Sequence, residues 1–156
     1  MIRKLIAAAS ILAISAVQAN AATASGNLAI SVAINATCAV GAGTLDFGTQ
    51  SNIGGAANID AAGSFTVTCT NATAYSTTLG SGANFSGSRR MTNGTDFISY
   101  GIYTDVARTT AWPALGVSGT GSGAAQTISV YGRIPTGQTS VSTGTYGDSV
   151  QITVTY

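Results

Sequence analysis

Leu28-Ala29-Ile30-Ser31-Val32-Ala33-Ile34-Asn35 alternates strictly between a large aliphatic residue and a small or polar one. A period of two is that of a β-strand with one apolar face. The segment stands upstream of the first cysteine, Cys38, and directly behind an export signal. A strand in that position has two fates open to it. It pairs inside its own domain as an ordinary first strand, or it leaves that domain and completes another.

The export signal is legible in three parts. Arg3 and Lys4 form a short basic region, positions 5–17 an apolar run containing Ile6, Ile11, Leu12 and Ile14, and Ala19-Asn20-Ala21 a small-residue cleavage site. The apolar run is too short to span a bilayer, and no second long apolar stretch follows. Residues 1–21 therefore read as a signal peptide. The mature protein is expected to leave the cytoplasm in soluble form, and its remaining length, about 135 residues, suits one core.

Thr, Ser, Gly, Val and Ile dominate what is left, Pro is scarce, and no stretch keeps a helical period. Short alternating runs recur between Gly-, Asn- and Ser-rich turns. Strands are expected near 28–34, 44–47, 65–70, 75–79, 97–103, 127–131 and 149–156, with loops at 41–43, 80–87 and 116–123. Such regular spacing points to an all-β sandwich rather than a parallel sheet.

Behind the signal peptide the only charges are Arg89, Arg90, Arg108 and Arg133 against Asp46, Asp60, Asp96, Asp105 and Asp148, a net charge of 4 − 5 = −1. No basic patch gathers phosphates, so nucleic acid is not an expected partner. The whole chain lacks His, which removes Ser-His-Asp and Cys-His catalysis and the commonest metal ligand. The only Lys is Lys4 in the signal, and there is no Glu. An aspartate pair is what glycoside hydrolysis would need. The five aspartates are scattered, and turn capping is the expectation for each, as in Leu45-Asp46-Phe47-Gly48. The expectation is a protein that is not an enzyme and carries no cofactor or metal.

Cys38 and Cys69 are the only cysteines, and an exported chain meets an oxidising compartment. One structural disulfide follows, closing a loop of about 32 residues worth about 3.7 kcal/mol in the chain-entropy model. Lesser expectations concern single sites. Arg89-Arg90 reads as a solvated hairpin tip, Asp105 and Arg108 as a pair across a turn, Trp112 as a core residue and Tyr146 as packing at the sandwich edge.

The order of alternating segment, Cys38, Leu45-Asp46-Phe47-Gly48 and Phe65-Thr66-Val67-Thr68-Cys69 resembles the spore coat protein U-like domain family, the domain of Csu-type archaic chaperone–usher pilins. Two later stretches carry the resemblance further. One is Ile98-Ser99-Tyr100-Gly101-Ile102-Tyr103-Thr104-Asp105 with Ala107-Arg108-Thr109. The other is the ending from Gly144-Thr145-Tyr146-Gly147-Asp148 to Val150-Gln151-Ile152-Thr153-Val154-Thr155-Tyr156.

The resemblance implies an incomplete immunoglobulin-like β-sandwich that lacks its last strand and is completed by donor-strand exchange. Residues 22–36 would be the N-terminal donor segment and 37–156 the pilin domain. Leu28, Ile30, Val32 and Ile34 would be the donated side chains; Val150, Ile152, Val154 and Tyr156 would line the acceptor groove. The chain stops on that last alternating run, with no residues for one more strand. Implied partners are identical or related pilin subunits, a periplasmic chaperone and an outer-membrane usher. The implied location is a surface fibre of a Gram-negative bacterium, serving adhesion and biofilm formation. The alternatives are a tip adhesin, a spore or cell-coat structural protein, and a secreted carbohydrate-binding module.

Overall fold

Among the described residues, 20–156 of a computed structural model, eight strands form: β1 Cys38–Leu45, β2 Ile59–Cys69, β3 Ala74–Leu79, β4 Arg89–Thr92, β5 Phe97–Tyr103, β6 Val117–Thr120, β7 Ala125–Ile134 and β8 Ile152–Thr155. The expected signal peptide falls almost wholly on residues 1–19, outside the described residues. The described chain divides into a part ending at Ala33 and a compact unit, Ile34–Tyr156.

Within that unit the alternation seen in the sequence is what builds the core. On β2, Ala61, Phe65, Val67 and Cys69 point inward and are buried, while Asp60, Ala62 and Thr68 face out. β5 contributes Ile98, Tyr100 and Ile102, and β7 contributes Val130 and Ile134, in the same manner. The result is an all-β fold of two antiparallel sheets, one ordered β1-β2-β7-β5-β4 and the other β6-β3-β8. Trp112 is buried between them, tilted against Phe65 with ring centroids 6.1 Å apart. Its indole N–H donates to the Thr77 carbonyl at 3.2 Å, which satisfies the one polar group the ring carries inward.

The long central pairing of β2 with β7 runs unbroken from Ile59↔Ile134 to Thr68↔Ala125. The pairing of β1 with β2 does not: its register shifts between Gly41 and Thr44, a β-bulge. Gly63 sits opposite this irregularity, where a Cβ would lie 2.0 Å from the Thr44 carbonyl oxygen, so no other residue fits without moving β1.

Cys38 and Cys69 stand directly opposite each other at the start of β1 and the end of β2, and they are bridged, with Cα atoms 4.1 Å apart. The bridge ties edge strand β1 to the centre of its sheet. Cys38→Ser is expected to lower folded stability by about 3.7 kcal/mol and to reduce the yield of folded protein. Thermal unfolding of the purified protein and its cellular accumulation check this, and unchanged values would show the bridge to be dispensable.

Several expectations are corrected. Residues 28–34 form no strand here; a lone segment has no neighbour to supply ladder hydrogen bonds. Arg89-Arg90 is not a solvated tip but opens strand β4, paired at Arg89↔Tyr100 and Arg90↔Ser99. The Arg89 guanidinium donates to the carbonyls of Leu79 and Gly80, at 3.1 and 2.7 Å, holding the end of β3. The expected loop at 116–123 contains β6, and that at 41–43 lies within β1. Asp105 and Arg108 do not pair. Asp105 accepts backbone N–H groups of Thr109 and Thr110, whereas Arg108 reaches Asp60 at 3.3 Å and the Ala61 and Gly132 carbonyls.

Candidate functional site

β1 is bonded only to β2, and β8 only to β3, among the described residues. The two edge strands belong to different sheets and approach one another with no ladder between them. Each therefore presents a row of backbone donors and acceptors without a strand partner. A cleft of about 250 Å³ opens between them.

The walls of this cleft are apolar for a local reason. Leu45, the last residue of β1, and Phe47, two residues beyond it, both line the cleft, as do Ile152, the first residue of β8, and Val150, two residues before it. Phe65, Leu79, Met91 and Ile102 form the floor from four other strands. Val40 extends the same exposed side along β1. It pairs with Val67, so the two face the same way, yet Val67 is 0% exposed and Val40 41%. An inward-facing valine is left open because the second sheet does not reach over β1.

One end of the cleft is polar. The Tyr100 hydroxyl donates to Asp148 Oδ2 at 2.7 Å, and Phe47 meets the Tyr100 ring edge-on, with centroids 6.3 Å apart. Burial, reinforced by the Asp148 carboxylate, pushes the Tyr100 phenol well above its ordinary range, so it stays a donor. Asp148 Oδ1 accepts from the backbone N–H and side-chain amide of Asn84, at 3.2 and 3.1 Å. The other aspartates are likewise occupied. Asp46 accepts the Gly48 N–H, a turn cap. Asp60 forms a two-point pair with Arg133, at 2.7 and 2.8 Å, which lowers its pKa. Ser142 lowers that of Asp96, and the Thr109 and Thr110 N–H groups hold Asp105 down to about 2.

The structure places the sequence-derived residues as follows. Val150 and Ile152 line the cleft. Val154 packs half-buried against the core, while Tyr156 is 60% exposed. Leu28, Ile30, Val32 and Ile34 are 80–86% exposed, and residues 20–37 carry no strand. Met91 and Tyr100, which reach the cleft from β4 and β5, went unrecognised as site residues. Leu45 and Phe47 carried a usable signal in their two-residue spacing.

Residues 24–153 match the model of the Spore Coat Protein U domain. The chain is 38% identical over 170 residues to Protein U of Myxococcus xanthus, an alignment covering 96% of this chain and 93% of that protein. Among solved structures it is similar to a chain in the CsuC–CsuE chaperone–tip adhesion subunit pre-assembly complex, from the archaic chaperone-usher Csu pili of Acinetobacter baumannii. That match has a TM-score of 0.56 and 20% identity and covers 79% of this chain. It spans 40% of the other chain, and at that identity it is a likeness of fold.

Proposed function

The chain belongs to the Spore Coat Protein U domain family, and from that membership we propose that it is a structural subunit of a surface fibre, polymerising by donor-strand exchange. One observation carries the reading. Two unpaired strand edges face each other over an apolar cleft, in a chain that also holds an alternating aliphatic segment with its side chains in solvent. The cleft of one copy lacks a strand, and the N-terminal segment of another has the period to supply one.

In this reading residues 22–36 donate and 37–156 receive. Leu28, Ile30, Val32 and Ile34 enter the cleft, against Val150, Ile152 and Val154, with Tyr156 at its open end. Four aliphatic side chains leaving water contribute about 6–12 kcal/mol gross, and backbone bonds to both flanking edges add register. A subunit with an empty cleft exposes apolar surface and strand edges together, the combination that drives aggregation. A periplasmic chaperone therefore fills the cleft first, and an outer-membrane usher exchanges it for the next subunit on the way to the surface. Adhesion and biofilm formation are the roles such a fibre serves.

A coat protein is the second reading, favoured by the description of the family itself. Both readings use the same polymer and differ in how it is exported. Cells expressing this chain with a cognate chaperone and usher are expected to yield a ladder of multimers in detergent that collapses on boiling. A ladder independent of the usher supports the coat reading. Absence of any ladder from folded protein overturns strand exchange.

A further inference from the structure

We propose that Thr70 is a positioning residue that fixes the direction in which the N-terminal segment leaves the sandwich and so stiffens the joint between successive subunits. The inference rests on the strand-donation reading. It starts from an observation that reading does not use.

Thr70 follows Cys69 directly and grips Thr37, the residue before Cys38. The Thr70 N–H donates to the Thr37 carbonyl at 2.9 Å, which adds one rung to the β1–β2 ladder beyond its last strand pair. The Thr37 N–H in turn donates to the Thr70 hydroxyl at 3.1 Å. Both backbone groups of Thr37 are thus held by a single residue. The same hydroxyl lies 3.2 Å from the Thr37 hydroxyl and 3.4 Å from the Asn35 carbonyl, so its one proton has acceptors on the upstream side as well.

The disulfide anchors the next pair inward, Cys38 and Cys69. The chain is therefore pinned at Thr37 by hydrogen bonds and at Cys38 covalently. Only Asn35 and Ala36 separate that anchor from Ile34, the last aliphatic residue of the alternation. Three extended residue steps reach about 10 Å. When Ile34 is seated in a neighbour's cleft, Thr37 of the same chain is held that close to it. Two residues clamped at both ends, one of them with its carbonyl 3.4 Å from the Thr70 hydroxyl, leave little conformational freedom, unlike a flexible linker whose ends sample a wide volume. The joint then behaves as a hinge with a set angle, which the Thr70 hydroxyl sets on the subunit side together with the Thr70 N–H and the disulfide.

The test compares fibres of Thr70→Val and Thr70→Ser with wild type, assembled with chaperone and usher and imaged by electron microscopy. Valine keeps the shape of threonine and loses the hydroxyl; serine keeps the hydroxyl. The expected result is an equal yield of fibre, with a persistence length about twofold shorter for Thr70→Val and a wild-type value for Thr70→Ser. Fibres of Thr70→Val as stiff as wild type overturn the proposal, as do Thr70→Ser fibres as pliant as those of Thr70→Val. If Thr70→Val does not accumulate, a Gly-Ser insertion between Asn35 and Ala36 lengthens the joint with Thr70 untouched. It must also soften the fibre, and unchanged stiffness there overturns the proposal. Failure of the wild-type chain to form fibres defeats the donation reading instead, a separate outcome.

Discussion

Ile152→Asp is expected to abolish fibre assembly by destroying the receiving cleft. Ile152 is half-buried, lines the cleft between β1 and β8, and pairs with Leu79 at the end of a four-residue strand. Replacing it removes the contacts of a large aliphatic side chain, about 2–5 kcal/mol for such truncations. It also sets a carboxylate against Leu45, Phe47 and Phe65, where no cation waits: the nearby Arg89 is committed to the carbonyls of Leu79 and Gly80. The strand has few other anchors, so β8 is expected to detach from β3. Chaperone capture should fall and the subunit should be degraded in the periplasm. Co-purification with the chaperone at wild-type stoichiometry would remove Ile152 from the cleft's working surface. Thr153→Asp is the control, since Thr153 is exposed on the opposite face of β8.

What the sequence made legible, and what it did not, divides along physical lines. β5 and the second half of β2 were readable because apolar residues alternate there, as in Phe97-Ile98-Ser99-Tyr100-Gly101-Ile102-Tyr103 and Phe65-Thr66-Val67-Thr68-Cys69, and β3 because Tyr75, Thr77 and Leu79 stand two apart among β-formers; the first half of β2, Ile59–Ser64, has small residues and no such signal. β4 and β6 were missed because each has four residues and no alternation: Arg89-Arg90-Met91-Thr92 and Val117-Ser118-Gly119-Thr120. These become strands only through the partners they meet, β5 for one and β3 for the other. Strand formation driven from outside the segment leaves no local trace in it. The same holds for the cleft. Val150 and Ile152 announce themselves by spacing, whereas Met91 and Tyr100 arrive from distant strands through the crossing order of the larger sheet. Arg108 shows the converse. Its turn with Asp105 was legible, and the backbone bond Arg108 N–H to Asp105 carbonyl is present at 3.0 Å. A positive φ of 57° then swings the side chain away toward Asp60.

Ile30→Asp separates donation from folding, because the Ile30 side chain is 86% exposed and the residues around it form no strand. Exposed substitutions of that kind change stability by about 0.5 kcal/mol or less. The variant is therefore expected to fold, form its disulfide and bind the chaperone as wild type does, since its own cleft is built from residues 43–152. Its effect falls on the next copy. An aliphatic side chain entering an apolar cleft is worth about 1.5–3 kcal/mol, and a carboxylate in its place must shed water with no partner to receive it. Loss of even the lower figure reduces donor affinity about tenfold, at about 1.4 kcal/mol per decade, before the charge is counted. The detergent-stable ladder should collapse to chaperone-bound monomer, while the thermal midpoint of that complex stays where it was. Mixing the variant with wild type sharpens the result: the variant accepts a wild-type donor but cannot offer its own, so each incorporation ends a chain and the mean ladder shortens with its fraction. If the variant fails to fold, residues 28–34 belong to their own sandwich, and if its ladder persists at full length, another segment is the donor.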